Sequence, residues 1–239
     1  MKKEKVFVVG DIHGQAKMLE KILKHWNEKE EQLVLLGDLA DRGPYSKEAI
    51  ERAYDLVENY QAIVLKGNHE DLLEKYLKNP KEHHLHYYMN GGEATLRSLL
   101  GDQLELKAPW KNAGKVQKNY PWLIPFIESL PYYYEWEDYL FVHAGVDLAL
   151  ENWKDSTKRD FIWIREGFFD RENTTDKQIV FGHTVTANLH GNLSNFEIWQ
   201  SGDGLIGIDG GAVYDGKLHA LRLSELGIEA EFSVSKETS

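Results

Sequence analysis

The sequence predicts an α+β domain built on two β-sheets, and three observations carry the prediction. Five short apolar, β-branched runs each end abruptly in Gly, Asp, Asn or His; helically spaced apolar residues fill the gaps between the first three; the second half carries hairpin-like patterns instead. The opening run is VFVVGDIHG, Val6 to Gly14, and a continuous apolar run of this length reads as a buried strand. Met18, Leu19, Ile22, Leu23 and Trp26 then share one helix face. LVLLGDLADRG, Leu33 to Gly43, is the second strand, and Ala49, Ile50, Ala53, Leu56 and Val57 mark the second helix. AIVLKGNHE, Ala62 to Glu70, is the third strand. Strand, helix, strand, helix, strand implies parallel strands with right-handed crossovers, so the ligand-type residues at their carboxyl ends converge on one rim.

Residues 101 to 120 show no clear period and are expected to form a loop or lid, within a variable insertion over 79–120. Beyond them, YYYEWEDYLFVHAG reads as a hairpin around Glu137 and Asp138, and IVFGH, Ile179 to His183, as another buried strand. LIGIDGGAVYDGKLHALRL reads as a second hairpin with Asp215 and Gly216 as its turn. A second, more antiparallel sheet follows. The end of the chain, 233–239, is expected to be a frayed tail, and residues 1–239 a single domain.

A chain of 239 residues that is 42% hydrophobic and 28% charged can bury a substantial core. The formal net charge of -11 opposes general binding to nucleic acid or to an anionic membrane, although phosphate can still enter a locally positive cleft. Zero cysteines exclude disulfides, thiolate zinc sites and a cysteine nucleophile, so any metal must be held by oxygen and imidazole, which favours manganese, iron or similar ions. The start MKKEKVFVVG has lysines like a signal peptide, but Val6 to Val9 fall short of an apolar h-region, and no segment spans a bilayer. A cytoplasmic protein, monomeric by default, is the expectation.

The strand ends supply a ligand set for two cations. Asp38 is the best candidate to bridge them; Asp11 and His13, two residues apart, reach one cation; Asn68, His143 and His183 come from three other strand ends to hold the second.

GDIHG, GDLADRG, GNHE, HAG and FGHT, in this order over positions 10 to 184, resemble the signature blocks of the metallophosphoesterase superfamily. The resemblance is to its phosphoprotein phosphatase branch, which includes bacterial and phage serine/threonine phosphatases and the symmetrical diadenosine tetraphosphatases. GLIGIDGGAVYDGKLHALRL resembles a C-terminal block of that branch, with Gly210 in place of a common threonine, while in GDLADRG Ala40 stands in place of a usual valine. The resemblance implies a four-layer αββα sandwich, the calcineurin-like metallophosphoesterase fold, with two divalent cations at the rim between the sheets. Mn2+ is the expected ion, with Fe2+, Zn2+ or Ni2+ as alternatives, and their shared water becomes the hydroxide that attacks phosphorus in line. The same resemblance gives His69 the leaving-group proton, Asp41 the task of holding its ring, and Arg42 and Arg165 (in FIWIREGF) the phosphate oxygens. Glu70 is either a supporting hydrogen-bond partner or an ordinary glutamate at a helix N-terminus.

Around this set, His83, His84 and His86 read as solvated residues of a loop after Pro80. Trp110, Trp122, Trp153 and Tyr132 to Tyr134 read as packing, and Asn90 to Ser98 as a turn and a helix N-terminus open to the substrate. The expected activity is that of a serine/threonine phosphoprotein phosphatase, with diadenosine tetraphosphate hydrolysis as the alternative. The choice rests on residues 101–120, where Lys107, Lys111, Lys115 and Lys118 are offset by Asp102 and Glu105, without an arginine cluster for a polyphosphate chain, and on the net charge of -11, a long-range penalty for a tetra-anionic nucleotide that salt screens beyond roughly 8 Å.

Overall fold

The computed structural model describes residues 3–236. The first half alternates as expected: β1 (Lys5–Val9), α1 (Ala16–Ile22), β2 (Glu31–Leu35), α2 (Ser46–Tyr60) and β3 (Ile63–Val64). β1 pairs parallel with β2, and β2 with β3, so their carboxyl ends share a rim. A helical stretch follows, α3 (Asn68–Lys78), α4 (Pro80–Met89), α5 (Gly92–Leu100), α6 (Asn112–Asn119) and α7 (Leu123–Ser129). The hairpin β4 (Tyr133–Trp136) and β5 (Tyr139–Val142) opens the second sheet, which α8 (Lys158–Trp163), β6 (Gln178–Phe181), α9 (Thr186–Leu189), β7 (Trp199–Gln200) and β8 (Leu205–Gly207) complete. The chain then returns to the first sheet as β9 (Lys217–Ser224) and β10 (Gly227–Ser235). The strand orders are β10-β9-β1-β2-β3 and β4-β5-β6-β8-β7.

Strand alternation builds the layers. Phe7 and Val9 of β1 face the helices of the first half with Leu19, Ile50, Leu96 and Phe126. Val6 and Val8 face the other sheet, against Phe141, Val180 and Ile206. Leu140, Val142 and Ile179 turn outward onto Phe161, Ile162 and Trp153. Helix, sheet, sheet, helix is therefore the stacking order, an α+β sandwich.

Five expectations need correction. The second sheet is no more antiparallel than the first, since each has two parallel and two antiparallel strand pairings. β8 and β9 do not form a hairpin: they lie in different sheets, joined through a 3-10 turn at Ala212–Tyr214. Asp215 sits at φ 63°, and Gly216 packs so tightly on the carbonyl of Gly210 that no Cβ would fit, so the Asp-Gly pair reroutes the chain between sheets instead of reversing it. The reversal falls at Glu225 and Leu226, and Ser233–Ser235, expected in the frayed tail, pair with Lys217–His219; residues 237–239 of that segment lie outside the described residues. Residues 101–120 are not a loop: two 3-10 turns lead into α6, whose Ala113 and Val116 are buried. The histidines of the HHLH run stand on α4, because Pro80 takes the first helical position, where its missing N–H costs nothing.

Candidate metal centre

The parallel strands place the site. Asp11 and His13 follow β1, Asp38, Asp41 and Arg42 follow β2, and Asn68 and His69 open α3 directly after β3; His143 and His183 follow β5 and β6 of the second sheet. Their turns are tight: His13, Asp38, Asp41, Arg42 and His183 are five of the eight described non-glycine residues with positive φ, at 44° to 70°. A side chain in that region costs on the order of 1 kcal/mol or more, and such residues persist only where the surroundings hold them.

Two clusters of ligand atoms result, each with its atoms within 4.8 Å of one another. One joins His13, Asp38 and His69, the other Asp38, His143 and His183. Asp38 belongs to both, with Oδ2 3.4 Å from His13 Nε2 and Oδ1 3.4 Å from His143 Nε2. Asn68 Oδ1 lies 3.0 Å from His143 Nε2 and 2.8 Å from His183 Nδ1. Nδ1 of His13 donates to Ala40 O and Nδ1 of His143 to Leu36 O, so the Nε2 lone pairs of both rings face the site. The His143 lone pair then meets Asn68 Oδ1 and Asp38 Oδ1, acceptor against acceptor, an arrangement that a cation between them satisfies. The residues present thus fit a pair of divalent ions. Asp11 belongs to neither cluster; its carboxylate accepts the His183 N–H at 3.0 Å and lies so close to Gly182 that no side chain would fit there.

Burial sets the protonation states. It lowers the pKa of His13 to about 3 and lowers those of His143 and His183 as well, leaving neutral imidazoles suited to a cation. Burial also pushes Asp38 upward, but the surrounding imidazoles, His143 first, outweigh it and hold the carboxyl below its usual range. Asp11 has no such company: burial, then Asp209 and Asp38, raise it well above a normal aspartate.

His69 behaves differently from His13, His143 and His183. Burial lowers its pKa, yet the Asp38 charge and a 2.7 Å bond from Nδ1 to Asp41 Oδ2 together raise it. Its buried Nε2 has no protein partner. The ring can therefore carry a proton that is aimed at a ligand. Arg42 Nη1 donates to His13 Nε2 at 2.6 Å, and Arg165 Nη2 donates to the His183 carbonyl at 3.1 Å, so both guanidinium groups border the clusters.

Sequence reasoning missed the residues that hold these in place. Asp41 Oδ1 accepts from Tyr87 Oη at 2.8 Å and from Thr95 Oγ1 at 2.5 Å, and both donors come from the 79–120 insertion. Nothing in the spacing around Tyr87 or Thr95 marks them. Glu70 meets both of its readings: it stands in the first turn of α3, where it accepts the N–H of Gly67 at 2.9 Å, and its carboxylate also accepts from the N–H groups of Asp38 and Leu39 at 2.8 and 2.9 Å, tying the β2 turn to the start of that helix. Asp209, buried after β8, was legible only as the aspartate of the C-terminal block. It lines a cavity of about 450 Å³ above the clusters, together with Arg42, Arg165, Asn90, Trp163, Phe196 and Tyr214. Asn90 fits the expected opening of the 90–98 turn toward a substrate, whereas none of Trp110, Trp122, Trp153 and Tyr132–Tyr134 lines this cavity. Among the described residues, His83, His84 and His86 form no metal cluster.

An α+β sandwich with paired clusters of O and N ligands on the rim between its sheets defines a dimetal phosphoester hydrolase. The chain belongs to the calcineurin-like phosphoesterase family, whose model matches residues 4–208. It is 27% identical over 250 residues to the asymmetrical bis(5'-nucleosyl)-tetraphosphatase PrpE of Oceanobacillus iheyensis, covering 92% of this chain and 89% of that protein. Serine/threonine-protein phosphatase 1 of Salmonella typhimurium is 25% identical over 233 residues, 91% of either chain. The crystal structure of a candidate diadenosine tetraphosphatase superposes with a TM-score of 0.67 at 20% identity, over 99% of this chain and 96% of that one.

Proposed function

We propose that this chain hydrolyses the phosphoanhydride of dinucleoside tetraphosphates. In this reading Asp11 and His13 would hold one divalent ion and Asn68, His143 and His183 the other, with Asp38 available to both and Mn2+ as the ion of choice. When bound, the two ions neutralise charge on the phosphoryl oxygens and make water acidic enough to supply a nucleophile near neutral pH. The chain's own residues do the rest. Arg42 and Arg165 orient the phosphoryl oxygens by paired N–H donors. His69 gives the proton on its unpartnered Nε2 to the leaving oxygen, while Asp41 keeps the ring turned toward the cavity.

The observation that carries the substrate class is the extent of the cavity. At about 450 Å³ it continues past the two arginines onto the amides of Asn90 and Asn188 and onto apolar side chains, more room than one phosphate needs. The expectation of a phosphoprotein substrate rested first on residues 101–120, and that ground falls away: none of them lines the cavity, and Lys111 and Lys115 pair with Glu105. Its second ground, the net charge of -11, acts weakly beyond about 8 Å of screening, and at the cavity itself Arg42 and Arg165 face an anion. The resemblance to the tetraphosphatase over nearly the whole of either chain supports the reading. The similarly coextensive Salmonella relative keeps a phosphoprotein as the second reading.

Steady-state kinetics on diadenosine tetraphosphate and on a phosphothreonine peptide, at one manganese concentration, test the choice. The dinucleotide is expected to show at least a tenfold higher kcat/KM, about 1.4 kcal/mol of transition-state preference, with a nucleoside triphosphate and a monophosphate as products. A tenfold preference for the peptide instead makes the chain a phosphoprotein phosphatase.

A further inference from the structure

Building on the nucleotide reading above, we infer that Tyr214, Phe196 and Leu193 form a subsite for the aromatic heterocycle of the nucleotide. All three line the cavity that also holds Arg42 and Arg165. Tyr214 is 53% exposed and Leu193 77% exposed. A single exposed apolar side chain is ordinary, but two on the wall of a cavity floored by phosphate-directed groups present a face with no use in folding. The Arg42 guanidinium lies 5.7 Å from the centre of the Tyr214 ring. A phosphate held by Arg42 therefore leaves its nucleoside within reach of that ring.

The wall is built rather than loose. Tyr214 closes the 3-10 turn between Gly211 and Asp215, at φ 65° and 63°, and its N–H donates to Gly211 O at 2.8 Å. The Phe196 ring lies against Gly211 and Gly216, where any Cβ would press on it, and the His219 ring binds the Phe196 carbonyl at 2.6 Å. The loop carrying Leu193 is joined to α9 by the Asn192 N–H, which donates to Ala187 O at 3.0 Å, and the Asn192 side chain accepts the Ser194 N–H at 3.1 Å. An aromatic face gains on the order of tenfold in affinity when a base stacks on it, whichever base it is.

The test compares adenosine 5'-monophosphate with ribose 5-phosphate as competitive inhibitors of p-nitrophenyl phosphate hydrolysis by the manganese-loaded enzyme. The quantity read is the ratio of the two inhibition constants. It is expected to be about ten or more in the wild type, to fall below about three in Tyr214→Ala, and to survive in Tyr214→Phe, which keeps the ring. Leu193→Ser, at a largely exposed position, serves if Tyr214→Ala does not fold, and should lower the ratio in the same direction. A wild-type ratio near one, or a ratio that these substitutions leave unchanged, overturns the subsite. Because the readout needs no turnover of a dinucleotide, the two readings fail separately: a preserved ratio without dinucleotide cleavage refutes the substrate, and cleavage with a ratio near one refutes the wall.

Discussion

His69 and Asp41 are joined by one 2.7 Å hydrogen bond, and the other carboxylate oxygen of Asp41 is held by Tyr87 and Thr95. The dyad was readable from GNHE and GDLADRG; its anchors were not, because a tyrosine and a threonine in mid-helix carry no local signature until the helices are folded over the site. If His69 is the acid, its loss should matter only where the leaving group needs a proton. His69→Asn is expected to cut kcat on an alkyl phosphate by about 10² to 10⁴ and on an aryl phosphate with an acidic phenol by less than tenfold. Tyr87→Phe should give the same asymmetry at about tenfold, since one hydrogen bond to a charged group is worth roughly 1.5 to 3 kcal/mol. Equal losses on both substrates would remove His69 from the role of acid and reduce Tyr87 to packing.

The helices of the 79–120 insertion and the last strand show where sequence patterns fail. α4 has apolar residues on all sides and so gives no period, while α6 is only eight residues long, with Ala113 and Val116 alone to mark its apolar face. The first-half strands were legible because buried parallel strands are continuous apolar runs. β10 was missed for the opposite reason: GIEAEFSVS alternates at an edge, half of it charged or hydroxylic, and Phe232 and Val234 are only partly buried. It is nonetheless structural, since Phe232 packs 5.5 Å from the Phe7 ring and 4.7 Å from the His25 ring. A chain ending at Glu225 is expected to melt about 10 °C or more below one ending at Lys236. Half-burying Ile228, Phe232 and Val234 contributes roughly 3 to 5 kcal/mol, at about 2 to 4 °C each. A melting temperature within about 2 °C of the longer chain would mean that the segment is the frayed tail its composition resembles.

In a molecule of formal net charge -11, burial raises three carboxyls at the site, Asp11, Glu70 and Asp209, above their ordinary range, whereas Asp38 is held below it. Burial, then the Asp38 charge, raises Glu70 to about 7, and burial raises Asp209 to about 6, against ordinary values of 4.5 and 3.8. For a carboxyl raised in the folded state, the stabilising contribution is complete below the unfolded pKa and is lost as pH rises through the folded one, here between about 4.5 and 7. Cations entering the site favour the ionised carboxyls and expel their protons, so affinity should climb over the same window and level off above it. Manganese titrated calorimetrically into metal-free protein at pH 6 is expected to give heats that depend on the ionisation enthalpy of the buffer, and at pH 8.5 heats that hardly do. Buffer-independent heats at pH 6 would show that the site takes up its ions without displacing protons. Among the described residues no helix is long and apolar enough to cross a membrane.

The strand order β10-β9-β1-β2-β3 puts β1, made before every other strand of its sheet, at the centre, with the late strand β9 on one side. On a ribosome adding about 5 to 20 residues per second, β1 waits roughly 10 to 40 s for that neighbour. Throughout this interval one edge of an apolar strand is open to pairing with another nascent chain. His143 and His183 emerge before β9 does, so the candidate ligand set is complete in the growing polypeptide while the sheet beneath it is still unfinished. Birth order thus makes the cation-binding rim available before the fold that supports it has closed.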